Sequence, residues 1–71
     1  MGDLQSKYEK FSDEQLYNKR NDLQREFESL NHTIQVYYTY PTDQQAYIAR
    51  QQRVKEKIRA IDNVLEKRRR Y

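Results

Sequence analysis

The chain has 71 residues, enough for one domain and too few to bury a large core unaided. Charged residues make up 35% of it and hydrophobic ones another 35%, with a single Gly and a single Pro; that excludes the turn-rich β and α/β classes and suits long polar helices. Cys is absent, which excludes disulfide frameworks and thiolate chemistry, and the net charge of +3 hides an asymmetry: residues 1–36 hold five Lys/Arg against seven Asp/Glu, residues 37–71 nine against four.

Residues 1–11 form an N-terminal arm with a weak apolar pattern, Leu4, Tyr8 and Phe11. Asp3 stands where it can cap a short helix, so the arm is expected to make a turn or two of helix, or to dock on the rest of the chain. MGDLQS matches the N-myristoylation pattern by letters; the match is loose and an acidic residue follows Gly2, so it is set aside.

FSDEQL, residues 11–16, is a helix start. Ser12 and Gln15 have capping-box spacing, Phe11 and Leu16 have the spacing of a hydrophobic staple, and Asp13 and Glu14 suit the positive end of the helix dipole. The apolar positions Leu16, Leu23, Phe27, Leu30, Ile34 and Tyr37 then follow a heptad seam, interrupted at Arg20. HTIQVYYTY, residues 32–40, has the β-branched and aromatic content of a strand, but no second strand exists to pair with it and the heptad passes through it in phase. A helix over residues 12–40 is predicted, ending before Pro41.

PTDQQ, residues 41–45, repeats the entry signal with Thr42 as cap and Gln45 as its capping-box partner. The prediction is a turn at 41–42 and a second helix over 43–70, with a seam of Tyr47, Gln51, Val54, Ile58, Ile61, Leu65 and Arg68. Folding the chain at Tyr40–Pro41 aligns the two seams, and axial levels then match opposite charges, Asp13 with Arg68 and Lys19 with Asp62 among them. The predicted fold is therefore all-α: a long antiparallel helical hairpin, coiled-coil-like, with a short N-terminal helix or arm.

The residue inventory argues against catalysis. His32 is the single His, it has no Cys to partner it, and neither a phosphate-binding Gly loop nor a metal-ligand spacing is present. No enzyme activity, cofactor or small-molecule substrate is expected. No apolar run approaches membrane-spanning length and no charged-then-apolar leader is visible, so no membrane partner is expected and the expected setting is cytoplasmic.

Two binding readings follow. In the first, a larger protein or a second copy of the chain docks on apolar residues off the seam, Tyr17, Ile48 and Val64, and on the tyrosine-rich tip, Tyr37, Tyr38, Tyr40 and Tyr47. Val36 belongs to the same off-seam set. A homodimeric four-helix bundle is one form of this reading. In the second, RNA or DNA phosphates meet a basic face of helix 2, Arg50, Arg53 and Lys57, together with the terminal run Lys67, Arg68, Arg69 and Arg70. Interspersed acids, Glu56, Asp62 and Glu66, dilute that field and favour the protein-interaction reading.

Overall fold

The computed structural model describes residues 3–36 and 40–70, and the protein is all-α. A short helix α1 (Asp3–Glu9) is followed by two long ones, α2 (Asp13–Val36) and α3 (Pro41–Arg69). The long helices pack antiparallel as a hairpin, and α1 lies against α3. The outline is elongated, 48 × 24 × 16 Å with a radius of gyration of 14.3 Å. A compact chain of this length would have a radius of about 11 Å.

The entry into α2 forms as its residues dictate. Ser12 N–H donates to Gln15 Oε1 at 3.0 Å and Gln15 N–H donates to Ser12 Oγ at 3.2 Å, a closed capping box. Phe11 packs on the core cluster that includes Leu16.

The second capping box does not form. The cap residue of α3 is Tyr40, it makes no side-chain capping bond, and Pro41 is the first helical residue. Thr42 therefore lies inside the first turn rather than ahead of it. Proline favours this start because its φ is already helical and its missing N–H would have no intrahelical partner there. The predicted turn at 41–42 and helix start at 43 are corrected accordingly. The described part of α2 ends at Val36, with 37–39 outside the described residues, and Tyr40 is not helical.

The seam is the core. Leu16, Leu23, Leu30, Val54 and Ile61 are buried, with Phe27, Tyr47, Ile58 and Leu65 packed at its edges. Each fully buried aliphatic side chain contributes about 1.5–3 kcal/mol. Two glutamines bridge the helices. Gln51 Nε2 donates to the Phe27 carbonyl at 3.4 Å, and Gln44 Nε2 donates to the Ile34 carbonyl at 3.2 Å. They are one heptad apart on α3, and their acceptors are one heptad apart on α2, so the same rung is built twice. The polar seam position Gln51 thus spans the two helices.

The arm becomes a third helix at one end only. Leu4 and Gln5 lie beside Glu56, Arg59 and Ala60, and Glu9 lies beside Val64 and Lys67, so α1 runs parallel to α3. Tyr8 is 1% exposed and sits in the core, its ring edge-on to Phe11 at 5.6 Å. The hairpin is therefore three helices thick at its base and two at its tip.

Candidate functional site

At the base, one guanidinium ties the three helices together. Arg68 donates to Asp13 Oδ1 at 2.6 Å, to the Glu9 carbonyl at 2.9 Å and to the Phe11 carbonyl at 2.7 Å. The carbonyls at the end of a helix lack intrahelical donors, and Arg68 supplies them for α1 while pairing with the first turn of α2. Lys67 Nζ lies 3.6 Å from Glu9 Oε1, and Arg70 pairs with Glu66 at 3.2 Å. The terminal basic run is thereby largely engaged within the chain. Arg69 is exposed and has no ion pair among the described residues.

Farther along α3 the cations are differently placed. Arg50, Arg53, Lys55, Lys57 and Arg59 make no ion pair among the described residues, and Glu56 is the one acid among them. Of the axial matches expected from the folded-over sequence, Asp13 with Arg68 forms as an ion pair. Asp62 pairs with Arg20 rather than Lys19, its Oδ1 2.6 Å from Arg20 Nε. Arg20 occupies a seam position and pairs with Asp62 at the edge of the hairpin. Its Nε–H is not aligned for a hydrogen bond. An open hollow of about 420 Å³ surrounds this pair on the face away from α1, lined also by Tyr17, Leu65 and Arg69.

The apolar candidates separate into buried and exposed. Val64 is 2% exposed, so its assignment to a partner is corrected: it packs in the core at the edge where α1 covers α3. Tyr17 is 49% exposed, Ile48 37%, Val36 58% and Tyr40 60%. Tyr47 is half-buried and packs on the core. Tyr37 and Tyr38 lie outside the described residues. Among the described residues, three of the four exposed large apolar side chains, Val36, Tyr40 and Ile48, therefore lie toward the two-helix tip.

His32 is exposed, and among the described residues no group of three His, Cys, Asp or Glu side chains is placed to hold a metal. No helix among them is long and apolar enough to cross a membrane. The apolar pattern Leu4, Tyr8 and Phe11 read from the arm packs on the core, with Tyr8 inside it. Sequence reasoning missed Gln44, whose contact crosses the turn.

No family model, no curated protein and no solved structure matches the chain.

Proposed function

We propose that this protein is a non-catalytic interaction module whose tip is the docking end. The observation that carries the reading is the unequal thickness of the hairpin. At the base α1 covers Val64 while Tyr17 stays exposed, and at the tip Val36, Tyr40 and Ile48 are exposed around a two-helix end. A hairpin buries its seam from two sides only, and exposed apolar side chains gathered at one end are the mark of a contact surface. Tyr is a common anchor in such contacts because it offers a large, rigid, amphipathic area.

The test is comparative affinity capture with the full chain and with its Val36→Ser, Tyr40→Ser, Ile48→Ser variant, alongside Tyr17→Ser. The reading expects a partner retained by the unaltered chain and by Tyr17→Ser, and lost by the tip variant at unchanged helicity. An identical captured set for all three proteins overturns it.

Five neighbouring cations of α3 that make no ion pair among the described residues, Arg50, Arg53, Lys55, Lys57 and Arg59, support a second reading, binding of nucleic-acid phosphate. Its signature is a steep fall of affinity with salt; about three phosphate contacts give a slope near −3 in log K against log salt for duplex DNA. A flat slope excludes it.

A further inference from the structure

The hollow at the base is built from both long helices. Tyr17 and Arg20 come from α2, and Asp62, Leu65, Glu66 and Arg69 from α3. The short helix α1 lies elsewhere on α3, beside Ala60, Val64 and Lys67.

Arg20 and Asp62 meet at 2.6 Å, so they stand at one level along the hairpin. Tyr17 comes three residues before Arg20, and Leu65 three residues after Asp62. The helices are antiparallel, so both steps lead toward the base by about 4.5 Å, and Tyr17 and Leu65 share the next level. Each level holds two complementary side chains, one from each helix: a cation with an anion, then an aromatic ring with an aliphatic chain. Asp13 and Arg69 repeat the charge match one heptad beyond Arg20 and Asp62, again toward the base.

A two-fold axis through the hollow, parallel to the helices, keeps every residue at its level and sets α2 of one copy against α3 of the other. Arg20 of one protomer then faces Asp62 of its partner, Tyr17 faces Leu65, and Asp13 faces Arg69, each twice. An isologous contact needs a patch that complements itself in this way.

We propose that the hollow is the contact surface for a second copy of this chain, which completes a bundle of four long helices. It is a surface apart from the tip. Tyr17 is half exposed, and the Arg20 and Asp62 side chains are 43% and 47% exposed, so a second copy has surface to bury on both helices. Round the ring of Arg20 and Asp62 from each copy the charges alternate in sign, so no like charges are neighbours. Arg20 has no other ion pair among the described residues, and its guanidinium has donors left for a second carboxylate. Arg69, exposed and without an ion pair among the described residues, gains one. A nucleic-acid strand is disfavoured here because Asp62 and Glu66 line the hollow.

The first measurement is the mass of the full chain by light scattering over a range of concentrations, expected near twice 8.8 kDa. Tyr17→Arg, which places a guanidinium against Leu65, should weaken the dimer at least about tenfold, or about 1.4 kcal/mol, at unchanged helicity. Arg20→Asp should also weaken it, because four carboxylates then meet. The exchange Arg20→Asp with Asp62→Arg restores the alternation and should restore the mass. The tip variant Val36→Ser, Tyr40→Ser, Ile48→Ser should keep it. The chain has no Cys, so orientation can be read with single thiols. A Tyr17→Cys chain mixed with a Leu65→Cys chain, treated with a short bis-maleimide, should give a covalent dimer of one of each, in preference to either chain with itself.

A mass near 8.8 kDa at every concentration overturns the proposal and leaves the tip reading, which capture tests, untouched. A dimer lost in the tip variant and kept in Tyr17→Arg overturns it by placing the second copy at the tip. Preferential cross-linking of the Leu65→Cys chain to itself overturns it by setting α3 against α3. This last readout decides the matter even if Tyr17→Arg fails to fold.

Discussion

Arg68 and Asp13 stand 55 positions apart and meet at 2.6 Å, joining the end of α3 to the start of α2. The same guanidinium holds the Glu9 and Phe11 carbonyls, so its fork spans the whole α1–α2 connection. Its side chain is one-third exposed, which places the contacts between a surface pair and a buried one.

Arg68→Ala is expected to cost about 1.5–2 kcal/mol, the lower part of the range for hydrogen bonds to charged groups. Arg68→Lys should recover little of it, because an ammonium cannot span three acceptors with a planar fork. Urea unfolding gives the magnitude. Amide hydrogen exchange of α1 gives the location: protection should fall first over Asp3–Glu9 and leave the α2–α3 seam unchanged.

The two capping boxes in the sequence separate cleanly under mutation. Ser12→Ala removes a formed reciprocal cap and is expected to cost about 1 kcal/mol. Thr42→Ala should change stability by no more than about 0.5 kcal/mol, since α3 makes no side-chain cap and starts at Pro41. Equal losses at the two sites in thermal unfolding would contradict this account of how α3 begins.

Tyr8 makes stability depend on high pH. Burial of its ring raises the phenol above its ordinary pKa of 10.0. Between the unfolded and the folded pKa the unfolded chain has released the proton and the folded chain has kept it. The unfolded state therefore binds fewer protons there, and stability falls as pH rises above about 10. Tyr8→Phe should flatten that decline relative to the parent protein, measured as urea midpoints at a series of pH values from 8 upward. Tyr8→Ala is expected to cost about 3–5 kcal/mol at neutral pH, because it empties a fully buried aromatic site.

What the sequence made legible was whatever repeats along one helix. The seam from Leu16 to Ile34 and from Tyr47 to Leu65 appears as heptads, and the Ser12–Gln15 cap is a local pattern four residues long. The burial of Val64 was not legible in that way. Its heptad partners are Lys57 and Arg50, so the edge of α3 on which it lies reads as solvated until α1 is known to pack there. The start of α3 misled for a different reason. Thr42 and Gln45 satisfy the spacing of a cap, but Pro41 is competent to begin the helix itself, and the pattern alone does not rank the two.

Gln51 supplies the last prediction. It occupies a seam position, and its bond to the Phe27 carbonyl is long at 3.4 Å, so it contributes little energy. It is expected to act on register, together with Gln44 one heptad away. Gln51→Leu replaces a half-buried amide with apolar surface and is expected to raise stability by about 1 kcal/mol. Gln44→Leu together with Gln51→Leu removes both rungs, and a seam of uniform leucine character accepts neighbouring registers and partners more readily. The double variant should therefore gain stability and lose uniqueness, seen as broadened amide resonances in NMR and a rise in mass by light scattering. A double variant that is more stable and keeps one sharp set of resonances would show that the Arg68 clamp suffices to set the register.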